Sequence, residues 1–218
     1  MKEYLNLLAE VMDEGHYKRP ARPGMPATKE LFCKTVSIDC SDGTIPLLTT
    51  KKVSFNNILT ELLWFLKGDT NIKYLVDHGC KIWNDDAYRY YKELGGSLGK
   101  EEWLSRVGTS IDNDVDPTVS LQRYGDCGMI YGANWRNFNY DGFDQIVSVI
   151  NNLRMNPTSR YHIVTGWNPN QIGYKATAAL PACHMLFQCN VRQGSYLDLM
   201  FLQRSCDLFL GVPYNWAS

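Results

Sequence analysis

The 218-residue chain has no apolar run approaching the roughly 20 residues that a membrane-spanning helix requires. Its amino terminus, MKEYLNLLAE, is amphipathic and lacks the charged end and apolar stretch of a secretion signal. Charge of one sign is also missing: 22 Lys and Arg stand against 23 Asp and Glu, a formal net charge of -1. That removes the bulk electrostatic argument for DNA or an anionic membrane as partner, though a local basic site remains open. The seven cysteines, at 33, 40, 80, 127, 183, 189 and 206, include no CxxC pair and no Cys/His cluster suited to zinc, so no metal is expected. Free thiols, most of them small buried hydrophobes, fit a cytoplasmic protein. There is no internal repeat and no low-complexity segment. With 44% hydrophobic and 21% charged residues, a disordered tail, a collagen and a coiled coil are excluded, and the length suffices for one substantial core.

Periodicity organises what is there. Residues 2–14 put Tyr4, Leu5, Leu7, Leu8, Val11 and Met12 on one side of a helix that Gly15 stops, and the Pro-rich stretch 18–28 is a loop carrying Lys18, Arg19 and Arg22. Alternation predicts a strand over 32–38, a turn over 41–43 and an extended segment over 45–50. Helices are predicted from Asn57 to Lys67 and from Asp69 or Thr70 to Gly79. Residues 84–125 lose periodicity and read as an insertion or small subdomain. A helix over 143–157 follows, with Phe143, Ile146, Val147, Ile150 and Leu153 on one face. Extended runs come at 161–167, 184–192 and 196–206, the last two joined as a hairpin through QGS. The pattern implies one α+β domain over 1–218, a mixed β-sheet with flanking helices.

A few residues fit plain packing poorly. Glu61 lies among large apolar groups in ILTELLWFL: it is either an edge residue or a buried acid with a raised pKa and a task. Arg204 follows LMFL in what should be a central strand. It is either a core arginine with a partner or part of a phosphate site with Arg22 and Arg160, since guanidinium forks match phosphate oxygens. Cys183, in LPACH, is a buried inert thiol or a nucleophile. Neighbours in a strand point to opposite faces, so His184 is not its base, and a nearby arginine would better stabilise a thiolate. Trp83, Tyr131 and Trp135 default to core packing. Asn215 could simply cap a helix.

The order TTKK (49–52), TELLWFLKGDTNIKYL (60–75), IW (82–83), GMIYGANWR (128–136), DQI (144–146), SR (159–160), GWNP (166–169), ALPACH (179–184) and QRSCDLFLGVPYNWAS (203–218) resembles the thymidylate synthase family from the first residue to the last. The resemblance implies that family's fold and a homodimer that binds dUMP and the co-substrate 5,10-methylenetetrahydrofolate. Carried over by position, Cys183 attacks the pyrimidine at C6. Glu61, Tyr131 and His184 manage protons and water, and Arg204 touches both phosphate and thiolate. Arg22, Arg160, Gln203, Ser205 and Asp207 complete the nucleotide site, Arg160 from the partner subunit. Asn215 pairs with uracil O4 and N3-H, a donor and acceptor order that cytosine reverses. Ile82, Trp83, Asp207, Leu210, Gly211 and Tyr214 contact the folate.

The chain departs from the family pattern in four places. Tyr161 replaces a second arginine, Ala182 replaces the proline before the nucleophile, and Asp86 replaces a second tryptophan. The chain also ends at Ser218, before the family's long core helix, its His-x-Tyr pair and its closing C-terminal segment. These departures keep two alternatives in view: a dUMP or dCMP 5-hydroxymethylase, in which water instead of hydride captures the intermediate, and a truncated relative without turnover.

Overall fold

The computed structural model describes residues 2–19, 24–111, 122–172 and 177–217. Arg22 lies outside the described residues. In chain order the elements are α1 (Lys2–Glu14), β1 (His16–Lys18), β2 (Thr28–Glu30), α2 (Phe55–Leu66), α3 (Lys73–Asp77), α4 (Asn84–Glu93), α5 (Lys100–Ser105), α6 (Tyr131–Arg136), α7 (Gln145–Met155), β3 (Ile163–Thr165), β4 (His184–Arg192), β5 (Tyr196–Gln203) and α8 (Val212–Asn215). The chain is α+β, and it divides into two compact units, Met1–Ser54 with Asp207–Ser218, and Phe55–Cys206.

In the first unit, α1 forms as the apolar spacing predicts, and Tyr4 is buried with Leu48 and Val212 against Leu8, Val53, Leu208 and Trp216. Tyr4 meets Trp216 edge-to-face at 6.2 Å. Leu5 and Met12, expected on the inner face, are exposed. β1 and β2 pair antiparallel, with His16 opposite Glu30. The strand expected over 32–38 does not form: Cys33 takes φ 58 and Phe32 stands in solvent. Alternation alone does not make a strand without a partner to pair with, and the unpaired run is broken by this left-handed residue. The segment 45–50 is likewise irregular.

The second unit holds the larger core, centred on Trp64, Ile72, Leu75, Tyr91 and Trp103. Gly68 ends α2 at φ +73, and a Cβ there would meet the Arg136 side chain at 2.9 Å, so the position needs glycine twice over. The described part of 84–125 is not a separate body. Tyr90, Tyr91, Trp103, Val107 and Tyr124 share one core with Trp64 and Trp83. The sheet order is β3-β4-β5, with every strand pairing among the described residues antiparallel. The parallel partner that a mixed sheet implies is not seen among them. Gln193 (φ 53) and Gly194 (φ 70) make the tight hairpin turn between β4 and β5.

Helix α7 starts at Gln145 because the Asp144 carboxylate accepts the Val147 N–H at 3.0 Å. Its buried side differs from the expected one. Gln145 and Val149 are buried, Ile146 and Leu153 partly so, and Phe143, Val147 and Ile150 are exposed. The cause is polar. The Gln145 amide donates to Asn134 O (2.7 Å) and Thr165 O (2.9 Å) and accepts from Thr165 N (2.9 Å), which turns that glutamine toward β3.

Candidate active site

Cys183 sits one residue before β4, at the end of an irregular approach from Ala179. Pro181 donates no N–H and interrupts any ladder, so side chains must hold this approach. The Cys183 N–H donates to Tyr131 Oη at 2.6 Å and the His184 N–H to the same oxygen at 3.3 Å. From the other side, Arg204 Nε donates to Ala182 O at 2.9 Å, Nη2 to Pro181 O at 2.6 Å and Nη1 to Ser205 Oγ at 3.2 Å. Arg204 N also reaches Cys183 O at 2.9 Å. Arg204 does not lie in a central strand as expected: it follows the end of β5, which is an edge strand among the described residues, and its charge is met by carbonyl oxygens, with the guanidinium 5.6 Å from the Trp167 ring centroid. The half-buried thiol is 4.0 Å from Pro181 O.

Tyr131 opens α6 and is buried against Phe65 (4.7 Å between ring centroids), Trp135, Trp83 and the His184 ring (5.5 Å). Burial first, then the neighbouring Cys183, pushes its phenol well above the ordinary value. The hydroxyl therefore stays protonated and can still accept from both peptide N–H groups.

Glu61 projects from α2 and accepts the Trp83 Nε1–H at 2.5 Å. The residue keeps part of its surface, but its carboxyl is desolvated enough to raise the pKa from 4.5 to about 7; the indole bond opposes this and is the smaller effect. A carboxyl poised near neutrality can donate or accept a proton in one cycle. Glu61, Trp83, Tyr131 and Cys183 thus form one continuous chain of contacts within the second unit.

The remaining candidates divide between the units. Gln203 faces His184 across β4 and β5, Ser205 adopts φ 51 beside Arg204, Arg160 is exposed, and Ile82 presents an exposed apolar side chain next to buried Trp83. Asp207, Leu210, Gly211, Tyr214 and Asn215 belong to the first unit. There the Asp207 carboxylate accepts the Phe209 and Leu210 N–H groups at 2.8 and 2.7 Å, shaping the turn that leads into α8. Asn215 ends that helix instead of opening one, and its Oδ1 lies 3.1 Å from where a Cβ on Gly211 would be.

Sequence reasoning missed a buried polar brace behind the site. Asn134 Nδ2 donates to Gly166 O (3.0 Å) and Gln171 Oε1 (2.9 Å), which fixes the backbone next to Trp167. Its only signal was a run of amides among apolar and aromatic residues. Of the thiols, Cys80, Cys127 and Cys189 are buried with raised pKa values, while Cys33, Cys40 and Cys206 are exposed, so fewer are buried than composition suggested. Among the described residues no cluster of His, Cys, Asp and Glu could hold a metal ion, and no helix is long and apolar enough to cross a membrane.

A thiol at a strand head, a guanidinium on the carbonyls just before it and a carboxyl poised near neutrality are groups that covalent catalysis can use. Comparison with known sequences narrows the class. The family described as "Thymidylate synthase" matches residues 2–218. A thymidylate synthase of Rhodopseudomonas palustris (strain BisA53) is 40% identical over 220 residues, covering 99% of this chain and 70% of the relative. Those of Mesoplasma florum and Mycoplasma genitalium are 42% and 43% identical, covering all of this chain and 71% of each relative. The chain belongs to the thymidylate synthase family, and it spans about 70% of the length of these relatives.

Proposed function

We propose that the protein carries out the reductive methylation of dUMP to dTMP with 5,10-methylenetetrahydrofolate, in the cytoplasm and as a homodimer. The observation that carries this reading is Cys183, fixed by Tyr131 and Arg204 within a family match along the whole chain.

The uracil ring is too weak a nucleophile at C5 to attack an electrophilic carbon unaided. The Cys183 thiolate forms a bond to C6, and the displaced electron pair moves through C5 to O4 as an enolate. The folate supplies both the one-carbon unit bound at C5 and the hydride that reduces it, and leaves as dihydrofolate. Glu61 shares a proton with the groups around O4, and its pKa of about 7 supports transfer in either direction. Tyr131 acts near the C5 proton as it departs, and His184 joins the water network of the site. Loss of the C5 proton restores the enolate, which expels the folate nitrogen and leaves a methylene double-bonded to C5; hydride from the folate then reduces this methylene to methyl, and the enolate formed by that addition breaks the C6–S bond and returns the thiolate.

Arg204 holds the approach to the nucleophile and meets the nucleotide phosphate together with Arg22, Gln203, Ser205 and Arg160, the last from the partner subunit. Exposed Arg160, and a β5 strand whose Leu197, Leu199 and Phe201 are exposed, support a second copy on this face. Asn215 pairs with the pyrimidine, Asp207 contacts the nucleotide and accepts from the pterin ring of the folate, and Ile82, Trp83, Leu210, Gly211 and Tyr214 are the other folate residues. Trp83 acts there chiefly through Glu61, since its ring is buried and its N–H engaged.

The test is turnover of dUMP with the folate in the wild type and in Cys183→Ser. Dihydrofolate should form only in the wild type; an active serine variant removes Cys183 from the mechanism.

A further inference from the structure

The approach to Cys183 is clamped at both ends, and only one clamp belongs to the residues assigned above. At the far end, the Ala179 N–H donates to Cys127 O at 2.8 Å, and Ala178 bridges Gly128. The Ala179 carbonyl accepts from Arg89 Nη2 at 3.0 Å. Arg89 lies on α4, ninety residues away in sequence, and is held by two carboxylates of its own helix. Asp86 Oδ1 receives the same Nη2 at 2.9 Å and Glu93 Oε1 receives Nη1 at 2.8 Å.

An arginine with acidic partners three residues before it and four after it satisfies its charge at the surface of the helix. This one is turned inward, and its buried Nε has no hydrogen-bond partner among the described residues. Leaving a donor unmet is unfavourable, so the orientation follows from what Nη2 reaches. Asp86 stands where the resemblance implies the family's usual tryptophan, and here it is a carboxylate that holds Arg89 Nη2 at 2.9 Å.

We propose that Arg89, oriented by Asp86, is a positioning residue that fixes the approach Ala179–Ala182 and thereby the place of the Cys183 thiol. The proposal rests on Cys183 being the nucleophile. Arg204 grips Pro181 and Ala182, Tyr131 grips the Cys183 N–H, and Arg89 supplies the fixed end against which both act. Small displacements of a reacting atom lower the rate of the chemical step more than they weaken substrate binding.

The experiment compares Arg89→Met, Arg89→Lys, Asp86→Asn and Cys183→Ser with the wild type in steady-state turnover of dUMP, alongside amide exchange of the peptides spanning 178–185 and α7. Arg89→Met is expected to lower kcat about tenfold with KM for dUMP changed less than about twofold. Arg89→Lys and Asp86→Asn should fall between it and the wild type. Exchange should quicken over 178–185 but not in α7, and added guanidinium should restore part of the lost kcat. If Arg89→Met does not fold, the same split in Arg89→Lys decides. Unchanged kcat in the arginine variants with an inactive Cys183→Ser overturns the Arg89 proposal alone. Retained turnover in Cys183→Ser overturns the nucleophile reading beneath it.

Discussion

Replacing Glu61 by Gln should make the pH dependence of stability reveal what the fold does to this carboxyl. Glutamine matches glutamate in shape and can still accept the Trp83 indole N–H, so packing and the 2.5 Å bond are kept while the titration is removed. In the unfolded chain Glu61 gives up its proton near 4.5, and in the folded chain only near 7. Between those values the folded state holds the extra proton, so this group makes stability fall as pH rises through the window, and the loss is complete above it. The gap between 4.5 and about 7, at about 1.36 kcal/mol per pH unit, amounts to on the order of 3 kcal/mol. The other titrating groups are common to both proteins and cancel in the difference. Urea unfolding of both, followed by tryptophan fluorescence from about pH 4 to about pH 8.5, should show the Gln variant gaining on the wild type by roughly that amount across the window. A difference that stays constant with pH would mean that Glu61 titrates in the folded chain as it does in the unfolded one, and that its burial does not raise its pKa. In turnover the same variant should lose about a hundredfold or more, the usual scale for a lost acid–base group.

Tyr131→Phe removes the shared acceptor of the Cys183 and His184 N–H groups. It should cost about 1–3 kcal/mol in denaturant unfolding and lower kcat more than it raises KM for dUMP. Arg204→Lys keeps the charge but cannot span Pro181 O, Ala182 O and the Ser205 hydroxyl at once. Both kcat and dUMP affinity should fall, read as kcat and KM from the same assay, and unchanged values would show that the carbonyl contacts are incidental.

What the sequence made legible follows from where local rules dominate. α1, α2 and the β4–β5 hairpin were readable because apolar spacing, a stopping glycine and a short polar turn act over a few residues. The strand expected at 32–38 failed because alternation is only half of a strand; without a partner to pair with, Cys33 was free to take φ 58. The buried side of α7 was misread because Gln145 is held inward by three hydrogen bonds to distant backbone, which no apolar count registers. The site behaved likewise. Cys183, Glu61 and Arg204 stood out as polar groups in apolar settings or through the family pattern. That Arg204 spends its donors on Pro181, Ala182 and Ser205, and that Arg89 reaches Ala179, depends on pairings across many residues.

Methylation of dUMP through Cys183 is read from the mass of the product nucleotide. Incubation of dUMP with 5,10-methylenetetrahydrofolate should yield a nucleotide heavier by one CH2 unit, with dihydrofolate in equal amount and no product from Cys183→Ser. A nucleotide heavier by CH2O, with tetrahydrofolate in place of dihydrofolate, would show hydroxymethylation instead, and an unaltered dUMP would show that the chain does not methylate it.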